Sequence, residues 1–140
     1  MKYVLDASVA LKWVLQEPGS DKAVVLREGF RSGVHDLLAP DVFVAEIAHA
    51  LARAERRNII APPKGAVLLA DLLTTVPRLS SSLPLLPEAF SIASAVRISF
   101  YDCLYVALAD REECELLTAD ARLVELLQER YPFITALSSL

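Results

Sequence analysis

The sequence has few of the residues that mark small metal-binding or nucleotide-binding modules. Its 140 residues include two cysteines, Cys103 and Cys114, and two histidines, His35 and His49. They are too few and too widely spaced for a disulfide framework or a recognisable zinc site. The four glycines form neither a P-loop nor a GxGxxG motif. A structural zinc module and a nucleotide-dependent enzyme are therefore both disfavoured.

Long apolar runs and an excess of positive charge are missing as well. No uninterrupted apolar run reaches the roughly 18 residues that a membrane-spanning helix needs, and the N-terminus lacks the basic flank and cleavage site of a secretory signal. We therefore expect a cytoplasmic protein. With 14 basic and 18 acidic residues, the net charge is −4. The domain as a whole does not attract nucleic acid, so such a ligand would need a local basic patch.

Apolar residues, in contrast, are abundant. Hydrophobic residues make up 54% of the chain, and the mean hydropathy is +0.41. A chain of this length fits one domain, and we expect a single domain over residues 1–140. The high apolar content predicts that part of the surface is covered by a second copy or by another protein.

The apolar pattern predicts short strands alternating with amphipathic helices. Strands are predicted at residues 3–5, 37–39, 115–118 and 133–137, with residues 79–86 as an irregular connection or a very short strand. Helices are predicted at residues 7–16, 21–31, 41–57, 62–77, 87–98, 102–112 and 121–130. This alternation favours a parallel sheet with helices on both faces. Ligands of such folds bind outside the carboxyl ends of the strands.

Four acidic residues stand in otherwise apolar segments, although burying an unpaired charge costs several kcal/mol. They are Asp6, Glu46, Asp102 and Asp120. Each also has a simpler explanation. Asp6 and Asp120 stand where a strand passes into a helix, and they and Asp102 can serve as helix N-caps. Glu46 recurs at helical spacing with basic residues of its own helix and can belong to a solvated stripe.

If the four acids converge, they need a cation. Two like charges about 4 Å apart repel by roughly 4 kcal/mol at a surface-like dielectric constant. A divalent cation compensates this repulsion, and a set of oxygen ligands without histidine or thiolate suits Mg²⁺ or Mn²⁺. Such an ion can activate water and neutralise charge on a phosphodiester. The pattern therefore favours a metal-dependent nuclease.

The same segments resemble the PIN domain, and specifically the VapC-type toxin ribonucleases of bacterial toxin–antitoxin pairs. The resemblance covers almost the whole chain. It rests on residues 5–9 (LDASV), on Pro40 with Glu46 and Leu51, on residues 101–109 (YDCLYVALA) and on residues 117–123 (LTADARL). It implies a three-layer α/β/α domain with a short parallel sheet of four or five strands.

The resemblance also implies a site and partners. The catalytic, metal-binding residues would be Asp6, Glu46, Asp102 and Asp120, with Mg²⁺ or Mn²⁺ as cofactor and with Ser8 and Thr118 as hydrogen-bonding neighbours of the metal. Family members cut RNA, often transfer RNA, are silenced by a small VapB-like antitoxin, and are commonly dimers. One departure is His49, because many relatives carry asparagine three residues after the helix glutamate.

Several basic residues are candidates for contact with the RNA backbone, which would make binding depend on salt. They are Lys12, Arg53, Arg56 and Arg57, with Lys64 and Arg97 as further candidates. For the three arginines at residues 53–57 there is an alternative. They end a predicted helix, where cations are favoured by the helix macrodipole without any ligand.

Two other functions stay open. An aspartyl phosphatase or phosphoacceptor domain would also use an aspartate after the first strand, but haloacid dehalogenase-like enzymes need a second aspartate where Ser8 stands. Receiver domains need an acidic pair and a suitably placed lysine. A non-catalytic binding module would use the acids only as caps and surface charge. It predicts that Mg²⁺ or Mn²⁺ neither binds nor raises the melting temperature.

Overall fold

A computed structural model describes residues 1–140 of the chain. Five strands form one sheet, namely Lys2–Leu5 (β1), Asp36–Pro40 (β2), Arg78–Ser80 (β3), Glu115–Thr118 (β4) and Ile134–Ala136 (β5). The α-helices are Ala7–Leu11 (α1), Ser20–Arg31 (α2), Phe43–Arg56 (α3), Lys64–Leu72 (α4), Leu86–Ala95 (α5), Phe100–Glu112 (α6) and Ala121–Leu127 (α7). Short 3₁₀ helices span Leu83–Leu85 and Leu137–Ser139. None of the helices is long and apolar enough to cross a bilayer.

Helices cover both faces of the sheet. Successive side chains of a strand point to opposite faces, yet neighbours such as Val4 and Leu5, or Leu116 and Leu117, are all fully buried. All four strand pairs are parallel. The buried hydrophobic residues form one cluster of 34. The predicted α/β architecture is therefore confirmed, and the sheet has five strands.

The strand order places one crevice at the middle of the sheet. The order is β3-β2-β1-β4-β5, so the chain moves outward from β1 through β2 to β3 and then returns to the other side of β1. The connections after β1 and β4 therefore leave in different directions, which is the topological switch point where ligands of open parallel sheets bind. Asp6 directly follows β1, and Asp120 lies two residues beyond β4.

Several elements differ from the predicted bounds. The helix α4 spans Lys64–Leu72 where the sequence predicts residues 62–77, α5 ends at Ala95 and not at residue 98, and α7 ends at Leu127 and not at residue 130. The first helix ends at Leu11, not at residue 16, and the indole of Trp13 donates to the carbonyl of Ala23 in α2 at 2.9 Å. The segment predicted as irregular or a very short strand overlaps β3, which begins one residue earlier, at Arg78, and pairs with β2. The helix α6 begins at Phe100, and Ser99 caps it by accepting from the backbone N–H of Tyr101.

A buried arginine fastens α2 to the end of α4. The side chain of Arg27 lies 5.0 Å from the ring centroid of Trp13, and its Nη2 lies 2.9 Å from Oδ1 of Asp71. Its Nε donates to Oγ1 of the buried Thr75 at 3.1 Å. Because burial removes water from the guanidinium, these partners supply the hydrogen bonds that a charged group needs inside a protein.

Candidate metal centre

Asp6 is the most deeply buried of the four acids, with 5% exposure. Its Oδ2 accepts from Ser8 Oγ at 2.6 Å and from Thr118 Oγ1 at 2.9 Å. Asp6 occupies the N-cap position of α1 as predicted, but its side chain makes no capping hydrogen bond to that helix. Burial raises the pKa of Asp6, and the two hydroxyl hydrogen bonds oppose that rise. The carboxylate is thus held in one orientation at the end of β1.

The two hydroxyls also fix the turn after β4. Ser8 Oγ accepts from the backbone N–H of Ala119 at 3.0 Å, and Thr118 Oγ1 accepts from that of Asp120 at 3.0 Å. A hydroxyl has one proton to donate, and in both residues it goes to Asp6. Each hydroxyl therefore links the buried carboxylate to the backbone that leads to Asp120.

Asp120 does cap a helix. Its Oδ1 accepts from the backbone N–H of Arg122 at 3.0 Å, in the first turn of α7. Its other carboxylate oxygen accepts no hydrogen bond from the protein. The charge of Asp120 nevertheless raises the pKa of both Asp6 and Asp102. The cap and a place among the other acids are therefore compatible.

Asp102 lies in the first turn of α6 and is not its N-cap, because Ser99 occupies that position. No protein group donates a hydrogen bond to its carboxylate, so both oxygens are free. Burial, followed by the charges of Asp6, Asp120 and Glu46, raises the pKa of Asp102 to about 7. Asp102 thus experiences the charges of all three other acids, and the four belong to one electrostatic cluster.

Glu46 projects from α3 toward α6. Its Oε1 accepts from the hydroxyl of Tyr105 at 2.7 Å, and its side chain is half-buried. Burial and the charge of Asp6 raise the pKa of Glu46, while the tyrosine hydroxyl lowers it. Glu46 therefore does not belong to a solvated stripe. His49 and Arg53, on the same helix, are exposed to solvent.

Tyr105 is a site residue that the sequence patterns did not single out. It is fully buried in the apolar helix α6, one turn after Asp102. A buried tyrosine hydroxyl needs a hydrogen-bond partner. A tyrosine one turn after an acid in a strongly apolar helix was therefore the sequence signal that could have identified Tyr105 as a site residue.

The chemistry of the four acids fits a hard divalent cation. All potential donor atoms are carboxylate oxygens, which Mg²⁺ and Mn²⁺ prefer. No three acidic, histidine or cysteine side chains lie close enough together to coordinate one ion directly. Magnesium characteristically binds one or two carboxylates directly and keeps several waters. The donor set is therefore compatible with an ion held partly through water.

A cavity of about 350 Å³ lies beside two of these acids. Its lining residues are Arg97, Ile98, Ser99, Asp102, Asp120, Arg122 and Leu123. These residues come from the link between α5 and α6, from the start of α6 and from the region where α7 begins. The cavity thus connects the acidic cluster to solvent along a wall that carries two arginines.

The predicted RNA-contacting residues are distributed over several surfaces. Lys12 forms an ion pair with Glu17 at 3.3 Å, and only 15% of its side chain is exposed. Arg53, Arg56 and Arg57 are exposed and have no acidic partner, at the end of α3 that lies away from Glu46. None of these four lines the cavity beside Asp102 and Asp120.

Comparison with known proteins identifies the chain's relatives. The model of the family described as "PIN domain" matches residues 3–127. Ribonuclease VapC3 of Pyrobaculum aerophilum is 31% identical over 127 residues, which cover 89% of this chain and 94% of the relative. Ribonuclease VapC12 of Mycobacterium tuberculosis is 32% identical over 122 residues, which cover 87% and 89%.

Solved structures share the fold at lower identity. PAE2754 from Pyrobaculum aerophilum matches with a TM-score of 0.66 at 22% identity, over 89% of this chain and 78% of that one. VapBC2 from Rickettsia felis, bound to a DNA fragment from their promoter, matches with a TM-score of 0.64 at 13% identity over 97% of both chains. VapC20 of Mycobacterium tuberculosis, described as a sarcin-ricin loop cleaving toxin, gives 0.58 at 15% identity over 84% and 87%.

Proposed function

Because the chain belongs to the PIN domain family, we propose that it is a metal-dependent endoribonuclease of the VapC type. It hydrolyses RNA phosphodiester bonds with Mg²⁺ or Mn²⁺ as cofactor. The observation that supports this most directly is the environment of Asp102, whose pKa is raised to about 7 by burial and by three other carboxylates. Such a concentration of negative charge at the switch point of the sheet calls for a cation.

In this proposal Asp6, Glu46, Asp102 and Asp120 hold the metal. A divalent cation bound there would supply an activated water and neutralise charge on the phosphodiester. Ser8 and Thr118 keep Asp6 in place through hydrogen bonds to Oδ2, and Tyr105 keeps Glu46 in place through Oε1. Asp102 accepts no hydrogen bond from the protein, so both of its oxygens are free to bind the ion.

The proposal includes partners. VapBC2 of Rickettsia felis was solved with both components of the pair on promoter DNA, and we propose that a VapB-like antitoxin silences this protein too. We also propose a homodimer, because large apolar side chains such as Val67, Leu83 and Phe90 are between 67% and 73% exposed. The substrate is a structured RNA, with transfer RNA as one candidate, and the site of action is the cytoplasm.

The test is cleavage of purified transfer RNA and ribosomal RNA with Mg²⁺, with Mn²⁺ and with a chelator. We expect the unmodified protein to cut only when metal is present, and Asp102→Asn to be inactive. Asp110→Asn is the matched control, since Asp110 is an exposed acid on the same helix, and this variant should cut normally. Cleavage by Asp102→Asn, or cleavage in chelator, would contradict the proposal.

Melting temperatures separate this proposal from a non-catalytic binding module. An ion that binds the native state must stabilise it, so we expect Mn²⁺ to raise the melting temperature of the unmodified protein and of Asp110→Asn. The increase should disappear in Asp102→Asn. Identical melting temperatures with and without Mn²⁺ would favour the binding module instead.

A further inference from the structure

Two arginines without an acidic partner line the cavity beside Asp102 and Asp120. Six other basic residues of the chain form ion pairs, namely Lys2, Lys12, Arg27, Arg31, Arg78 and Arg111. Arg97 and Arg122 form none, and both are exposed. Their guanidinium groups are therefore available to a ligand on the same cavity wall as the acidic cluster.

The position of Arg122 has no simpler explanation in helix stability. It lies in the first turn of α7, where the positive end of the helix macrodipole disfavours a cation. Arg53 and Arg56, in contrast, lie in the last turn of α3, where the negative end of the helix macrodipole favours a cation. The contribution of Arg122 to capping comes from its backbone N–H alone, which donates to Asp120. Its side chain is not needed for that contact.

The cavity has a size and lining that suit one nucleotide unit. Its volume of about 350 Å³ lies near the lower end of the range for small-ligand sites, about 300–1,000 Å³. Ile98, which is half-buried, adds apolar surface to the cavity wall. Guanidinium groups bind phosphate oxygens through paired hydrogen bonds. Since the chain carries a net charge of −4, an RNA backbone needs such a local pair of cations to approach the acids.

We propose that Arg97 and Arg122 form a phosphate-binding subsite for the RNA backbone. They hold a phosphate next to the one that is cleaved, while the half-buried Ile98 contacts the sugar or base between the two phosphates. This inference rests on the proposed ribonuclease function, and it assigns to this cavity the part of the substrate beside the scissile bond.

The experiment uses Arg97→Gln, Arg122→Gln and the double variant. The matched control is Arg130→Gln, since Arg130 is also exposed and without an acidic partner but lies beyond the other end of α7. Steady-state cleavage gives kcat and KM at several salt concentrations. Fluorescence anisotropy with a short labelled single-stranded RNA, measured in the Asp102→Asn background, gives affinity without cleavage. A Mn²⁺ titration of each variant measures the acidic cluster independently.

We expect each single variant to raise KM about tenfold, because one charge-assisted hydrogen bond to phosphate is removed, and the double variant to raise it further. The slope of log affinity against log salt should fall by about 0.7 for each phosphate of a single strand that is no longer neutralised. The kcat, the Mn²⁺ affinity and all properties of Arg130→Gln should stay close to those of the unmodified protein.

Failure of this inference is distinct from failure of the proposed function. If the unmodified protein cuts no RNA with either metal, the proposed function fails and the subsite fails with it. If the unmodified protein cuts RNA and the double variant keeps its KM and salt slope, only the subsite is overturned. A double variant that binds RNA normally but no longer binds an antitoxin would assign the arginines to the protein partner. A lower Mn²⁺ affinity would assign them to the acidic cluster, and both results overturn the subsite.

Discussion

The hydroxyl of Tyr105 donates to Oε1 of Glu46 at 2.7 Å and joins α6 to α3 across the candidate metal centre. Tyr105 is fully buried. Burial, and next the charge of Glu46, raises the pKa of Tyr105 far above its ordinary value. The hydroxyl therefore stays protonated and remains a donor over the whole physiological pH range. The helix that carries Asp102 thus also carries the group that orients Glu46.

The variant Tyr105→Phe tests this relationship. Removing a hydrogen bond that orients a metal-binding carboxylate lowers metal affinity by about 10–100-fold, and we expect a loss near the lower limit. The free energy of unfolding should fall by about 1.5–2 kcal/mol, because the partner of this buried hydroxyl is a half-buried carboxylate. Calorimetric titration with Mn²⁺ and urea unfolding measure the two quantities. The control Tyr101→Phe removes an exposed hydroxyl from the same helix, and equal Mn²⁺ affinities of the two variants would show that Tyr105 is only structural.

The pKa of Asp102 predicts how stability changes with pH. The carboxyl ionises near pH 3.8 in the unfolded chain, but in the folded protein its pKa is about 7. Between these values the folded state holds the additional proton, so the free energy of unfolding falls as the pH rises and then levels off above about pH 7. Asp102 is partly in contact with solvent, so we expect a total loss of about 1–2 kcal/mol without metal.

The substitution Asp102→Asn should reduce this pH dependence, while the part that comes from Glu88, whose pKa burial and Asp110 also raise to about 7, should remain. Asparagine cannot ionise, so the metal-free variant should be more stable than the unmodified protein above neutral pH, although it is inactive. Urea unfolding in chelator over a series of pH values measures the difference. The control Glu125→Gln, which removes an exposed acid that forms no ion pair, should keep the original pH profile, and a profile for Asp102→Asn that matches it would mean that another group causes the effect.

The hydrogen bonds around Asp6 predict the effect of Thr118→Val. Valine keeps the shape of threonine, but it removes the donor to Asp6 Oδ2 and the acceptor for the backbone N–H of Asp120. Because Thr118 is fully buried and its partner is charged, we expect a loss of about 1.5–3 kcal/mol in chelator. The control Thr135→Val removes a hydroxyl that donates to Glu115 at the half-buried end of the sheet, and its destabilisation should be smaller.

Arg27 offers a stability prediction that does not involve the metal centre. The variant Arg27→Gln removes the cation from the Trp13 ring and breaks the ion pair with Asp71. Removing one member of a fully buried pair costs about 3–5 kcal/mol, and since Asp71 is half-exposed we expect about 2 kcal/mol. The affinity for Mn²⁺ should not change. The control Arg111→Gln, which removes the ion pair of an exposed arginine with Glu112, should cost less than about 1 kcal/mol.

Local patterns were sufficient where the chain alternates between buried strands and capped helices. The strands β1 and β4 lie where their apolar runs predict them. Three of the four residues of each strand are buried, so the sequence pattern directly reflects burial on both faces of the sheet. The strand β3 is ambiguous from sequence because Arg78–Ser80 has no strand pattern of its own. It is defined by pairing with residues 38–40 of β2, which are far away in the sequence.

The acids show the same limit of local reasoning. Asp6 and Asp120 occupy similar positions between a strand and a helix, but only Asp120 caps its helix. Oδ2 of Asp6 instead accepts from Ser8 and from Thr118, which is 112 positions away. Glu46 likewise turns inward because Tyr105, 59 positions away, supplies a donor. No local pattern contains these contacts.

The hydrogen bond between Asp6 and Thr118 has a consequence for the timing of synthesis. Its two partners leave the ribosome 112 residues apart, and β4 is the fourth of the five strands to emerge. A nascent polypeptide that ends before β4 carries Asp6 and Glu46 but cannot yet assemble the centre. The centre around Asp6 is therefore complete only after β4 has been synthesised and has paired with β1.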